Sequence, residues 1–211
     1  MESETMRIYL VRHGETEWNK IRRFQGRSNL PLNHEGKKQA RALALALKNT
    51  SLMAIYTSPL VRALQTARLI KDFHPSAPIL EENGFIEMDL GEFDGMKVQD
   101  WAKQYPDTRK AWNENPASVK MPGGESLEEV QDRAKKALER FTQLHPPDDT
   151  ILISSHNFVN LTILCDILNI PLDGFRELRQ ENAAFNLICK KGDQLHVKLL
   201  NERSHLENQE K

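Results

Sequence analysis

Apolar and polar positions along the chain switch repeatedly between a period of two and a period near 3.6. Residues 7–11 (RIYLV) form a short run rich in β-branched and aromatic side chains, and the run stops at Arg12-His13-Gly14. Asn33 suits an N-cap, and the segment NHEGKKQARALALALKN that it opens, filled with Leu, Ala and Lys, predicts a helix. Residues 53–57 (MAIYT) predict a second strand, cut off by Ser58-Pro59, and Pro59 suits the first turn of a helix LVRALQTARLIKDF. A third short strand is predicted over 78–81. Between 83 and 120, Gly, Pro and Trp interrupt any period, which predicts loops and short helices. Leu127, Val130, Ala134, Ala137, Leu138 and Phe141 then recur at spacings of three and four, so 125–144 is an amphipathic helix ended by His145-Pro146-Pro147-Asp148. A strand at 150–154 and a largely apolar helix at 158–168 follow. Segments 183–190 and 194–201, joined across Lys191-Gly192-Asp193, predict a hairpin.

Repeated strand–helix alternation predicts a three-layer α/β/α sandwich around a mostly parallel central sheet. No internal repeat, low-complexity tract or linker divides the chain, so one domain is expected over 1–211, with flexible ends at 1–5 and 207–211. In open sheets of this kind, ligands bind just beyond the carboxyl ends of the strands. That rule directs attention to Arg12-His13-Gly14, Ser58-Pro59 and Ser154-Ser155-His156.

Composition narrows the classes. With 29 Lys+Arg against 30 Asp+Glu, the net charge of -1 argues against a protein whose bulk charge grips nucleic acid or an anionic membrane. Hydrophobic residues at 39% and charged residues at 28% read as globular. The longest apolar stretches, 151–153 and 158–164, are too short to span a bilayer, and residues 1–5 are acidic and polar, unlike a signal peptide. A cytoplasmic location is the expectation. Cys165 and Cys189 match neither a disulfide framework nor a paired zinc site and are expected to fill the core as small apolar groups. A neutral total can still hide one concentrated positive pocket.

Four segments place reactive or anion-binding groups at predicted strand ends or in loops: residues 12–19, 58–62, 87–92 and 154–157. Together they suit phosphoryl transfer. A phosphomonoester is a dianion and needs donors that stay charged, which arginine supplies as planar, bidentate forks; Arg12 and Arg62 are the candidates. A histidine that is neutral near pH 7 can attack phosphorus and carry the phosphoryl group, and a second can stabilise its oxygens. A carboxyl with a raised pKa can protonate the leaving alkoxide and later activate water. The scheme requires no metal and no cofactor.

Residues 12–19, RHGETEWN, also resemble the signature of the histidine phosphatase superfamily, the phosphoglycerate mutase-like enzymes. The resemblance continues through Phe24-Gln25-Gly26, residues 31–36 (PLNHEG), residues 58–67 (SPLVRALQTA), residues 87–95 (EMDLGEFDG), Gly123-Gly124-Glu125-Ser126 and Ser155-His156. It implies His13 as the phosphorylated nucleophile and Arg12 and Arg62 as the phosphoryl clamp. Asn19 would also face the phosphate, His156 would be the second pocket histidine, and Glu87 the proton donor of the phosphatase branch, with Asp89 and Glu92 as nearby alternatives. Gln25 falls where the family often contacts substrate. His205, in a C-terminal His-Leu pair, resembles a residue that closes over the pocket. The family commonly has Gly after the second His, whereas this chain has Asn157, which would narrow the pocket or add a donor.

The resemblance further implies a lid or small subdomain over 92–122, where Trp101, Tyr105 and Trp112 would line the lid or pack the subdomain. His34, His74, His145 and His196 show no metal-ligand spacing and read as surface or loop residues. The family's mutases carry extra sequence between the acid and the second His, so a small-molecule phosphatase is favoured over a phosphoglycerate mutase. Phosphoserine, α-ribazole phosphate, phosphoglycerate and sugar phosphates are the candidate substrates. A pseudoenzyme binding a phosphorylated ligand would have no use for Glu87. The expected partner is therefore a small phosphorylated metabolite, not nucleic acid or a membrane; a homodimer stays open.

Overall fold

Side chains alternate across a strand, so the run at the chain's start must serve two different layers. In the computed structural model, which describes residues 5–207, it does. Strand β1 (Met6–Arg12) lies in a six-stranded sheet with β2 (Ala54–Thr57), β3 (Ile79–Glu81), β4 (Thr150–Ser155), β5 (Phe185–Lys191) and β6 (Gln194–Glu202). The order is β3-β2-β4-β1-β5-β6. The first four strands are mutually parallel, and the β5–β6 hairpin adds antiparallel to β1. Apart from Thr5 and Glu207, the predicted loose ends lie outside the described residues.

Eight α-helices surround this sheet among the described residues: α1 (Glu17–Lys20), α2 (His34–Leu47), α3 (Val61–Lys71), α4 (Val98–Gln104), α5 (Pro106–Glu114), α6 (Leu127–Leu144), α7 (Asn157–Leu168) and α8 (Ser204–Glu207). On one face, Ile8, Leu10, Ile151 and Ile153 pack with the Leu127–Phe141 stripe of α6 and with Val159, Ile163 and Leu164 of α7. On the other face, Val11, Ile55 and Leu152 meet Leu43 and Leu47 of α2 and Ala67 and Ile70 of α3. Each fully buried aliphatic side chain of this set contributes about 1.5–3 kcal/mol. Two clusters on two faces make the three-layer α/β/α arrangement that the alternation predicts. Strand β4 is buried at all six positions, as a central parallel strand must be.

Local chemistry sets the helix starts. Asn33 caps α2 by accepting from the Gly36 amide at 2.7 Å, and Ser126 with Glu129 forms a capping box on α6. Pro59 differs from expectation: α3 begins at Val61 behind an extended Leu60, so Pro59 lies before the helix. Cys165 and Cys189 are buried free thiols, as expected. Two of the histidines expected at the surface or in loops do lie in loops but are packed into the protein. His74 is buried, and half-buried His145 bridges Tyr56 and Asp149.

Residues 91–118 form 3-10 turns and the short helices α4 and α5. Trp101 packs edge-on against Phe24 and Phe93, while Trp112 meets Phe158 and Phe175.

Candidate active site

Strand register decides what meets. In the β1–β4 pair Arg12 lies opposite Ser155, and in the β2–β4 pair Thr57 lies opposite Ser154. The three strands therefore end at one level, and the next residues, His13, Ser58 and His156, emerge side by side. Backbone bonds hold each exit: the His13 amide donates to Ser155 O and the Ser58 amide to Ser154 O, both at 3.0 Å. The turn after His13 is seated directly on α2. A Cβ on Gly14 would lie 2.3 Å from the Gly36 carbonyl oxygen, and one on Gly36 only 2.0 Å from that of Glu15, so both positions require glycine.

Arg62, on the first turn of α3, is fully buried and reaches the centre of the cluster. Its Nη1 donates to Ser28 O and its Nη2 to Gly26 O, each at 2.7 Å. Its Nε lies 3.3 Å from His13 Nε2 and 3.2 Å from His156 Nδ1. A guanidinium only donates, so both facing ring nitrogens present lone pairs. His13 keeps its proton on Nδ1, 2.7 Å from Gly14 O, and His156 keeps its own on Nε2, 2.7 Å from Ser58 Oγ. The two rings meet edge to face with centroids 5.1 Å apart. Burial, then the charges of Arg62 and Arg12, push the His13 pKa well below its ordinary value; burial, Arg62, His13, Arg12 and Arg133 do the same to His156. Burial lowers Arg62 only to about 10, which leaves it a cation.

Arg12 is anchored through Nη1 on the Gln180 carbonyl oxygen, and its Nε is a buried donor with no protein partner among the described residues. Glu87 is buried, with one carboxyl oxygen accepting from the Met88 amide at 2.9 Å and the other from the Phe158 amide at 3.4 Å. Burial raises its pKa against the opposing pull of those amides, Arg62 and Arg12. A carboxyl so placed holds a proton longer than a surface one. Asp89 and Glu92, the alternatives, stay outside: Asp89 pairs with Arg27 at 3.2 Å, and Glu92 is exposed.

The remaining predicted residues sit around this centre. Asn19 Oδ1 accepts from the Thr16 amide and from Asn182 Nδ2, which also donates to His13 O at 3.2 Å. Gln25 Oε1 accepts from the Thr16 hydroxyl, leaving Nε2 as a buried donor without a protein partner among the described residues. Asn157 opens α7 and is half-buried. His205 Nε2 lies 3.0 Å from Ala183 O, and the Ala183 amide donates to His13 O. A small apolar cavity of about 20 Å³ lies between Phe158 and the helices α4 and α5, lined by Phe24, Leu90, Phe93, Trp101, Trp112 and Met121.

Several supporting residues escaped the sequence reading. Asn182 and Gln180 lie in a segment without a motif. Asp94 accepts from the Gly26 and Ser28 amides and so fixes the loop that Arg62 grips. Ser58 stood in a noted segment, but only the sheet register reveals its contact with His156.

Guanidinium donors converging on two lone-pair imidazoles, at the ends of parallel strands and beside a buried carboxyl, define the chain's class as an α/β enzyme acting on phosphomonoesters. Comparison with known proteins agrees. The sequence profile of the histidine phosphatase superfamily (branch 1) matches residues 8–203, and the chain belongs to that family. A relative named phosphoserine phosphatase 1, from Hydrogenobacter thermophilus, is 34% identical over 201 residues, covering 95% of this chain and 94% of its own. A relative named probable phosphoglycerate mutase GpmB, from Serratia proteamaculans, is 32% identical over 183 residues, covering 87% of this chain and 84% of its own. The solved structure of Bacillus stearothermophilus YhfR superposes with a TM-score of 0.90 at 30% identity, covering 95% of this chain and 99% of its own. The chain is a histidine phosphatase, a phosphoric monoester hydrolase. Among the described residues no helix is long and apolar enough to cross a membrane.

Proposed function

We propose that the chain hydrolyses small phosphomonoesters without a metal, through a phosphohistidine on His13. The observation that carries this reading is the position of Arg62 Nε between the two imidazoles, which leaves His13 Nε2 as a buried lone pair beside the Arg62 guanidinium and within the field of Arg12. His13 Nε2 attacks phosphorus, the N–P bond forms, and the ester P–O bond breaks. The departing alkoxide takes the proton of the Glu87 carboxyl. Arg12, Arg62, Asn19 and His156 hold the non-bridging oxygens throughout. Water then attacks phosphorus and gives its proton to the Glu87 carboxylate. The N–P bond breaks, releasing inorganic phosphate and neutral His13. Gln25, Asn157 and His205 border the leaving group.

The substrate is a small phosphorylated metabolite: phosphoserine, α-ribazole phosphate, phosphoglycerate or a sugar phosphate. The full-length relative named phosphoserine phosphatase 1 puts phosphoserine first in any panel. A second reading, phosphoglycerate mutase, rests on the relative named GpmB. The test uses para-nitrophenyl phosphate, excess EDTA and radiolabelled phosphoester. Turnover should persist with EDTA, and an acid-labile label should appear on the wild type and vanish with turnover in His13→Ala. Strict dependence on added divalent metal, or wild-type rates in His13→Ala, would overturn the proposal. Interconversion of 2- and 3-phosphoglycerate without phosphate release would establish the second reading.

A further inference from the structure

His156 has two nitrogens with opposite duties, and only one of them faces the reacting group. Its Nδ1 looks toward Arg62 and His13, while its Nε2 points back to Ser58 Oγ at 2.7 Å. Both residues are fully buried. Ser58 follows the end of β2, its amide is tied to Ser154 O, and its hydroxyl oxygen also accepts from the Leu60 amide at 3.2 Å. That second bond aims the Oγ lone pairs and holds the oxygen in place. Among the described residues, Nε2 has no other hydrogen-bond partner.

We propose that Ser58 is a positioning residue of the phosphatase reaction, fixing the His156 tautomer and ring orientation so that Nδ1 faces the phosphoryl group. The inference rests on the phosphohistidine reading above for its catalytic consequence, but not for its geometry. Because Arg62 Nε–H can only donate, a proton on His156 Nδ1 in the resting enzyme would oppose it; the ring proton must sit on Nε2, and a buried Nε2–H needs an acceptor. Ser58 Oγ is that acceptor. When a phosphoryl dianion enters, Nδ1 can take up a second proton from solvent and hold it in a hydrogen bond to a phosphoryl oxygen, and Ser58 then stabilises the imidazolium from behind. The groups facing His156 are Arg62 from α3, His13 and Arg12 from the end of β1, and Arg133 from α6, with the Glu87 carboxyl on the Phe158 amide of the same helix. Every one of the charged side chains among the first four opposes the imidazolium, so the hydroxyl and the incoming dianion must favour it.

The outer partner of a pocket histidine sets which nitrogen carries the proton. Losing a hydrogen bond to the charged form would lower turnover roughly 10- to 100-fold. The experiment compares wild type, Ser58→Ala and Ser58→Thr, all checked for native thermal unfolding. Two readouts are taken: nitrogen-15 shifts of the His156 ring in the resting enzyme, and the pH profile of kcat on an alkyl phosphate. In wild type, Nε2 should be protonated and Nδ1 bare. Ser58→Ala should mix the tautomers, cut kcat by that factor and move the alkaline limb to lower pH, while Ser58→Thr, which keeps a hydroxyl, should recover most of both. Unchanged ring shifts and an unchanged pH profile in a folded Ser58→Ala enzyme would overturn the inference. If wild type gives no phosphoenzyme, the catalytic reading fails, yet the ring shifts still decide whether Ser58 sets the tautomer.

Discussion

Arg62 Nε stands 3.3 Å from His13 Nε2, a donor facing the atom best placed to attack phosphorus. The contact has two effects. It keeps a proton off Nε2, and it holds the ring edge toward the place where Arg62's remaining N–H groups can meet phosphoryl oxygens.

Arg62→Lys tests whether the fork or the charge matters. Lysine keeps the cation but cannot donate at once to Gly26 O, Ser28 O and the imidazole pair. The expected outcome is a loss of about 10²- to 10³-fold in kcat/KM. Stability should fall by about 2 kcal/mol, because buried carbonyl groups lose a charged donor. Steady-state kinetics and denaturant unfolding read the two separately. A lysine enzyme near wild-type activity would show that charge alone suffices.

The opposite pKa directions of His13 and Glu87 set a pH dependence. Burial and the arginines depress His13, so its lone pair is available in mildly acidic solution. Burial raises Glu87, so its proton is retained as pH rises past the ordinary carboxyl range. With an alkyl phosphate, kcat should therefore decline on the alkaline side as Glu87 loses its proton. Glu87→Gln should remove the part of that limb set by Glu87, leaving the part set by the His156 imidazolium, and cost about 10²- to 10⁴-fold. An activated aryl phosphate, whose leaving group needs no proton, should show a shallower limb and a smaller loss in the variant. Equal losses with both esters would take the proton-donor role away from Glu87.

Close packing beneath the nucleophile gives a third prediction. The first turn of α2 touches the turn after His13 through two glycines, and a methyl at Gly36 would meet the Glu15 carbonyl oxygen and amide nitrogen at 2.0 and 2.6 Å. Backbone, not a flexible side chain, must move. Gly36→Ala should destabilise the fold by about 1–3 kcal/mol and displace His13, lowering kcat more than it raises KM. Thermal unfolding and phosphoenzyme labelling test this. A stable, fully active alanine variant would mean that the turn tolerates the shift.

These contacts also mark what was legible in the sequence. The elements followed from periodicity because burial on two faces imposes period two on strands and 3.6 on helices. His13, Arg12, Arg62, Glu87 and His156 were legible as residue types at strand ends or in adjoining loops, where a parallel sheet collects ligands. Ser58 and His156 are 98 residues apart, and Asn182 is 169 residues from His13. No local pattern signals such pairs, since they depend on the register of β2 with β4 and on the path of the segment before β5. Pro59 shows the smaller error of a rule applied one step early: the extended Leu60 intervenes before α3.

His145 supplies the last prediction. Its Nδ1 is 2.7 Å from Asp149 Oδ2 and its Nε2 is 2.8 Å from the Tyr56 hydroxyl. A carboxylate only accepts, so Nδ1–H donates to Asp149 and the Tyr56 O–H donates to Nε2. This chain of bonds ties the end of α6 to β2 and to the turn that enters β4, at the far end of β4 from His156. Tyr56 is otherwise enclosed, stacked on Phe141 with centroids 3.7 Å apart. Removing its acceptor should therefore cost more than removing its own hydroxyl. His145→Ala should lose about 1–3 kcal/mol and Tyr56→Phe about 0.5–1.5 kcal/mol, with the double variant falling short of the sum by at least about 0.5 kcal/mol. Both single variants should keep kcat/KM within about twofold of wild type, since the bonds support scaffold and not site. Strict additivity in denaturant unfolding would show that the hydroxyl and the imidazole do not act as a pair.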